Sequence, residues 1–282
     1  MRISQPWTRS IAAFTLLGLW ASAAGTQTTA AAGWTDTRVS GPFVCRADFR
    51  LDGLDELLSE LAQLQTDLVR YLRIPPAGEP IELYLFRSKQ TYARYVRHYF
   101  PNVPYRRALY IKGKGPGMVF TYRSVDFEVD VRHECTHALL HAVLPVVPLW
   151  LDEGLAGYFQ LPAEDRAFGN PHLSSLRWNL RLGMVPRMEK LENKGSLSEM
   201  GRAEYRYSWA WVHFMLHGPP EAYDELISYL GDIRRNVPPG LLSQRLARRL
   251  SDPQLSLTAH FRGWATTTRK LPPCTIRGRS LD

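Results

Sequence analysis

The chain lacks a second long apolar run beyond the one at residues 11–20, and crossing a bilayer takes about 20 apolar residues. The mature part of the chain is therefore predicted to contain no membrane-spanning segment. No cysteine stands directly after the apolar run, which argues against a lipid-anchored N-terminus. Internal repeats and low-complexity linkers are also missing from the mature part, so nothing in it indicates a repeat protein.

A nucleic-acid motif and a concentrated basic patch are missing as well, although the formal net charge is +8. The densest basic stretch, Arg245 to Arg249, has the spacing of a solvated helix face. Removing Arg2 and Arg9 from the count leaves the mature part at +6. This charge predicts weak attraction to anionic surfaces such as membranes or cell-wall polymers, and no nucleic-acid partner.

The first residues have the layout of a secretory signal peptide. Arg2 and Arg9 form a positive region without an acid, the apolar run follows, and residues 21–25 are small. This order predicts a cleaved leader at residues 1–24 and a secreted or periplasmic protein without stable membrane insertion. Residues 25–35 are predicted to be a disordered linker, and residues 36–282 a single domain.

Only three cysteines are present, at positions 45, 135 and 274. Cys45 and Cys274 lie near opposite ends of the chain, and an exported protein can keep a disulfide between them. Two separate thiols are the alternative, because connectivity cannot be read from a sequence.

Residues 36–125 have a mixed pattern of helices and strands. Leucines recur at helical spacing from Leu54 to Leu72, and IELYLF at Ile81–Phe86 is typical of a strand. A helix over residues 88–100 is predicted to be capped by Ser88. Short strands are predicted at residues 43–49, 108–111 and 118–122. Together they predict a small α+β layer of three or four strands.

From residue 126 onward the patterns are almost only helical. A motif helix is predicted at residues 129–144, and a second helix runs from Pro148 to about Pro162. Residues 170–201 are less periodic and are expected to wrap the surface. Further helices are predicted at residues 205–217, 220–229, 240–250 and 255–270. The predicted fold class is thus α+β, with a small mixed sheet layer over residues 36–125 followed by a mostly helical subdomain over residues 126–282.

The strongest chemical signal is His133-Glu134-Cys-Thr-His137, an H-E-x-x-H motif. Two histidines four residues apart share one helix face, about 6 Å apart along the axis, so both imidazoles can bind one Zn²⁺. Glu134 follows the first histidine directly and can act as the general base toward a water at the metal. Apolar residues flank the motif up to Leu144, which indicates a buried helix rather than a solvated one.

A catalytic zinc needs a third protein ligand, and Glu153 in the segment PLWLDEGLAGYF is the candidate. Prolines 145 and 148 separate the two helices, so the second can fold back on the first. Asp152 and His141 compete for the role, but Asp152 points about 100° away and His141 lies about 12 Å along the axis from His133. Cys135 points away from the histidine face and is expected to be a core residue.

HECTH followed by PLWLDEGLAGYF resembles the gluzincin pattern of the peptidase MA-like superfamily. It is most similar to the bacterial domain-of-unknown-function 1570 group, whose members are often exported. The specific part covers residues 132–160, and a weaker similarity begins at Tyr205. The resemblance implies a zincin-like zinc peptidase fold, α+β in class, whose mostly helical subdomain binds zinc and contains the active site.

The resemblance also implies roles for individual residues. His133, His137 and Glu153 would be metal ligands, Glu134 the base, and Tyr205 an oxyanion stabiliser, with Tyr207 as the alternative. Two features depart from the pattern: the spacing between the motif and its third ligand is short, and Gly157 stands where thermolysin-like enzymes have an acid.

The expected function is hydrolysis of amide bonds in a peptide or protein substrate. Two alternatives stay open, a non-catalytic metal-binding module of the cell envelope and a hydrolase of a non-peptide cell-wall amide. The presence of Glu134 favours an enzyme, because a binding module needs the histidines but no base. In proteins of this class an edge strand commonly lies above the zinc, and residues 118–121 would then bind extended peptide. An ordinary interior strand is the alternative. The sequence does not indicate an oligomeric state.

Overall fold

The computed structural model describes residues 33–113 and 115–264. These residues divide into two compact units, one ending at Val146 and one beginning at Val147. The predicted leader and Cys274 lie outside the described residues, so the signal peptide and the bridge from Cys45 stay predictions.

The first unit contains a five-stranded mixed sheet. Its strands are β1 (Asp36–Ser40), β2 (Phe43–Ala47), β3 (Ile81–Phe86), β4 (Ala108–Ile111) and β5 (Met118–Tyr122), in the order β1-β2-β3-β5-β4. The pairs β1/β2 and β4/β5 are antiparallel, whereas β2/β3 and β3/β5 are parallel. The sequence pattern predicted three or four of these strands and missed β1.

Strand β5 is an interior strand, because it pairs with β3 on one side and β4 on the other. Of the two alternatives that the sequence leaves open for residues 118–121, the interior strand is confirmed and the exposed edge strand is excluded. Strand β4 lies at that edge. Strand order depends on pairing between distant segments, which the local pattern of residues 118–121 does not encode.

Three helices accompany this sheet: α1 (Asp55–Leu72), α2 (Lys89–Tyr99) and α3 (Phe127–Val143). The leucine stripe of α1 is buried as predicted. Ser88 caps α2, since its side-chain oxygen accepts a hydrogen bond from the Thr91 N–H at 3.2 Å. Helix α3 packs against β4, β5 and α1, so the motif helix belongs to the sheet unit.

The described residues of the second unit contain helices and no strand. Its helices are α4 (Leu149–Phe159), α5 (His172–Arg181), α6 (Met188–Glu192), α7 (Arg202–His217), α8 (Pro220–Arg234), α9 (Leu242–Arg249) and α10 (Pro253–Trp264), with a short 3₁₀ turn at Leu197–Glu199. Helix α7 is central, because it contacts α4, α5, α6, α8 and α10. Its long buried stretch, Tyr207–Leu216, includes Trp209, Trp211 and Phe214.

The α+β fold class is confirmed, with a small mixed sheet followed by a mostly helical part. Helix α3 packs on the sheet and so belongs to the first unit, and the expectation of a single domain over residues 36–282 stays a prediction. Helices α5 and α6 lie within the less periodic residues 170–201, for which the sequence predicts no particular element. Across residues 33–113 and 115–264, no helix combines the length and apolarity that a membrane crossing requires.

Candidate metal centre

Helix α3 carries the H-E-x-x-H motif. Glu128 and Asp130 lie in its first turn, where negative charge interacts favourably with the helix dipole. The helix ends at Val143, ahead of Pro145. Its packing against β4 and β5 buries most of the residues from Val131 to Leu140. The motif is thus held on a rigid, largely buried element.

His133 and His137 are brought together on this helix. Their Nε2 atoms lie 3.2 Å apart, and the ring centroids are 4.8 Å apart at an interplanar angle of 78°. Two nitrogens bound to one tetrahedral zinc at 2.0–2.1 Å are separated by about 3.3 Å. His137 is 7% exposed, and His133 is partly buried. The pair therefore fits two ligand positions of a zinc ion.

Arg132 anchors α3 to α1 next to the motif. It is 4% exposed and forms ion pairs with Glu60 at 2.6 Å and Glu128 at 3.2 Å. A buried arginine needs such partners, because an unpaired buried charge is costly. The preceding turn of α3 is consequently fixed by a contact 72 residues away in sequence.

Asp130, one turn before His133, forms a second anchor. The Arg107 guanidinium donates to Asp130 from Nη2 at 2.7 Å and also pairs with Asp126. Burial raises the pKa of Asp130, while its hydrogen bond with Arg107 and the charge of His133 oppose that shift. Asp130 therefore lies within electrostatic range of His133. The sequence does not predict this pair, because no local pattern connects residue 107 with residue 130.

Glu134 is partly buried and lies beside His133 on the helix. Tyr92 on α2 is near enough for the Glu134 charge to contribute to the raised pKa of the Tyr92 phenol, after the larger effect of burial. The Tyr92 hydroxyl donates a hydrogen bond to the Arg106 carbonyl at 2.8 Å. The base candidate thus lies next to a phenol that stays neutral.

Cys135 and His141 are the two other residues of α3 that could be considered as metal ligands, and both are held by packing. Cys135 is fully buried, and burial raises the pKa of its thiol well above the ordinary value. It is a core residue, as expected, and not a thiolate ligand. The ring of His141 stacks on Tyr110 of β4 at a centroid distance of 5.7 Å and an angle of 14°.

Glu153 lies on α4 in the second unit and is 7% exposed. The neighbouring Asp152 is partly buried. His133, His137 and Glu153 are residue types that can together hold a metal ion, and so are His137, His141 and Asp152. A buried carboxylate requires compensation by a cation or by hydrogen bonds.

Gly154 fixes how α4 packs on α7. A Cβ atom at this position would lie 2.6 Å from the Ser208 carbonyl oxygen and 2.9 Å from Val212 Cγ2. At Gly157 the nearest atom, Trp209 Cβ, would be 4.0 Å away. Only the first glycine is therefore required by close backbone approach. The residue next to Glu153 is thus held firmly within the second unit.

Tyr205 and Tyr207 differ clearly in their surroundings. Tyr207 is 4% exposed, and its hydroxyl donates to the Met184 carbonyl and accepts from the Asn179 side chain at 2.8 Å. These contacts give Tyr207 a structural role. Tyr205 is partly buried on the first turns of α7 and remains the candidate oxyanion donor.

A second histidine group, formed by His213, His217 and His260, lies in the interior of the second unit and is not predicted from the sequence. His213 Nδ1 lies 3.0 Å from His260 Nε2, and His217 Nε2 lies 2.7 Å from the Tyr158 hydroxyl. The histidines lie on α7 and α10 and Tyr158 lies on α4, so the helical spacing of His213 and His217 alone does not reveal these contacts.

No protein-family model matches the sequence, and comparison with curated proteins gives no significant match. The similarity to the domain-of-unknown-function 1570 group therefore stays a prediction. Among solved structures, the chain is similar to an M1 zinc metallopeptidase from Deinococcus radiodurans, with a TM-score of 0.44 and 17% identity. The similarity covers 86% of this chain and 52% of that one, so this chain spans about half the length of that enzyme.

Proposed function

We propose that this chain is an exported zinc-dependent hydrolase, and more specifically a peptidase. The observation that carries the proposal is the 3.2 Å separation of the His133 and His137 Nε2 atoms on a buried helix. Burying two imidazoles so that their nitrogens converge is what a metal site requires. Export rests on the charge and apolar pattern of residues 1–24.

The ligands in this proposal are His133, His137 and Glu153, a His₂Glu set of the kind found in zinc peptidases. Support comes from the buried positions of His137 and Glu153 and from the rigid anchoring of α3 and α4. When bound, zinc acts as a Lewis acid that polarises a carbonyl oxygen and makes water more acidic.

Glu134 takes the proton from the attacking water and later returns it to the leaving amine. Its position beside His133 supports this role, because a base must lie within hydrogen-bond reach of the proton that it removes. Neither a metal-binding module nor a scaffold domain needs a carboxylate there. The neighbouring phenol of Tyr92, whose pKa is raised chiefly by burial, adds no second negative charge at neutral pH.

Tyr205 donates a hydrogen bond to the oxygen that becomes negative as the amide carbonyl is attacked. The engagement of Tyr207 with Met184 and Asn179 supports this choice between the two tyrosines.

Strand β4 is the proposed docking strand for an extended peptide. It lies at the edge of the sheet and packs on the motif helix α3. An edge strand offers backbone N–H and C=O groups that can pair with an added strand. Tyr110 and Ile111 are only partly buried on this strand.

The proposal is tested by incubating the purified exported form with a peptide library and identifying new termini by mass spectrometry. Cleavage that is lost on treatment with a chelator and restored by Zn²⁺ is expected. A chain that binds one zinc but cleaves no peptide would point to a non-catalytic module. Cleavage of amide-linked cell-wall fragments alone would point to the non-peptide substrate.

A further inference from the structure

Three large apolar side chains are exposed together at the C-terminal end of α5. Trp178, Leu182 and Met184, here called the α5 tip, are 60%, 54% and 52% exposed. The opposite face of α5 is buried through Leu173, Leu176 and Leu180. The helix therefore has one apolar face that is buried and a second apolar surface that is exposed at its C-terminal end. Packing within the unit requires only the buried face.

Helix geometry makes the tip contiguous. Trp178 and Leu182 are four residues apart and lie on the same face. Gly183 then adopts a left-handed conformation with φ of 67°, which turns the chain and places Met184 directly after the helix. The Met184 N–H donates to the Asn179 carbonyl at 2.9 Å, and the Gly183 N–H donates to Leu180 at 3.3 Å.

These two hydrogen bonds form a Schellman cap, in which the residue after glycine commonly packs its apolar side chain back on the helix. Here the helix position that would receive it is Asn179, whose side chain instead donates to the Tyr207 hydroxyl. That hydroxyl in turn donates to the Met184 carbonyl. The buried Tyr207 therefore holds the tip in place while the Met184 side chain stays half-exposed.

Positive charge surrounds the tip. Residues 177–190 contain four basic residues and one acid, Glu189. Arg181 is exposed directly before Leu182, and Arg187 is exposed three residues after Met184. Tryptophan next to leucine and flanked by arginine is the composition of segments that rest in the interface of anionic membranes.

We propose that the α5 tip binds reversibly to an anionic lipid surface, with its apolar side chains in the headgroup region and Arg181 and Arg187 on lipid phosphates. The size of the patch favours lipid over a folded partner or a second copy of this chain. A standard protein interface buries about 800 Å² per partner, far more than three half-exposed side chains supply. A bilayer needs only a small apolar insertion together with basic residues.

The test is sedimentation of the exported form with vesicles of phosphatidylglycerol and phosphatidylcholine in equal parts. Replacing Trp178, Leu182 and Met184 by Ser is expected to weaken partitioning at least about tenfold. The control variant replaces Val125 and Leu255 by Ser. These side chains are 96% and 63% exposed and lie outside the tip, so the control is expected to bind like the wild type. Circular dichroism checks that each variant is folded.

The arginines are tested separately with Arg181→Gln and Arg187→Gln combined. This variant is expected to lose roughly tenfold on the anionic vesicles and little on pure phosphatidylcholine. A vesicle-induced blue shift of fluorescence in the wild type, absent in Trp178→Phe, would place that ring in lipid. Equal partitioning of the tip variant and the wild type would overturn the proposal. A wild-type dimer in gel filtration that becomes a monomer only in the tip variant would also overturn the proposal, because the tip would then bind a second copy of this chain.

Discussion

The Nε2 atoms of His133 and His137 lie 3.2 Å apart on one face of α3, close to the separation of two ligand nitrogens on one zinc. The backbone that carries them is fixed at two points, by Arg132 with Glu60 and by Asp130 with Arg107. Such anchoring keeps the imidazoles in place with little reorganisation on metal binding, which is how supporting contacts contribute to metal affinity.

Replacing Glu134 by Gln should preserve the fold and the zinc content but lower kcat by a factor on the order of 10² to 10⁴. The amide is nearly the same size as the carboxylate and cannot take a proton from water. Steady-state kinetics on a cleaved library peptide, with elemental analysis of the same sample, measures both quantities. Turnover close to that of the wild type would assign the base to another residue.

Gly154→Ala should destabilise the protein by about 1–3 kcal/mol, because the added methyl group would collide with the Ser208 carbonyl. Gly157→Ala is the matched control on the same helix. It should be neutral or slightly stabilising, since its Cβ has room and alanine favours a helix more than glycine does. Urea unfolding measures both changes, and equal effects of the two substitutions would contradict the packing described for α4.

Tyr205→Phe should lower kcat by a factor on the order of 10² with little change in KM or unfolding free energy, because only the developing oxyanion loses a donor. Tyr207→Phe should show the opposite behaviour. It loses the contacts with Met184 and Asn179 and should cost about 1 kcal/mol of stability while kcat is retained. The reverse pattern would exchange the roles of the two tyrosines.

The buried histidine group predicts loss of stability in acid. Burial, followed by the charge of His260, lowers the pKa of His217 to about 4, and burial lowers that of His260 to about 4. The unfolded chain takes up these protons near the ordinary value of 6.5, so unfolding absorbs protons between the two values. This contribution is therefore complete above pH 6.5 and is lost as the pH falls toward 4.

Urea unfolding from pH 6.5 to pH 4 should show a decrease in the free energy of unfolding on the order of 3 kcal/mol for each of His217 and His260. In His217→Gln the decrease should be smaller, because glutamine can still hydrogen-bond to Tyr158 but cannot be protonated. His98→Gln changes an exposed histidine and should follow the wild type. Identical pH profiles for all three proteins would exclude the buried group as the cause.

The local parts of the fold could be predicted from the sequence. The sequence predicts three features to within one or two residues: the leucine stripe of α1, the strand β3 and the Ser88 cap of α2. Each depends on local residue spacing or on a capping side chain. The interior position of β5 could not be predicted, since strand order depends on pairing between residues far apart in the chain.

The candidate site also combines features that the sequence predicts with features that it does not predict. The pairing of His133 with His137 follows from helical spacing alone, and the structure confirms it. The ion pair of Arg107 with Asp130 and the contacts of Tyr207 join distant segments and have no local signal. The role of Glu153 stays a prediction that requires a measurement on the metal itself.

That measurement is the zinc content of the purified chain and of three single variants, by elemental analysis after exhaustive dialysis. The account predicts one zinc per chain in the wild type and almost none in His137→Ala or Glu153→Ala. His141→Ala, one turn further along α3, is the matched control and should keep its zinc. Unchanged zinc content in His137→Ala would contradict the account.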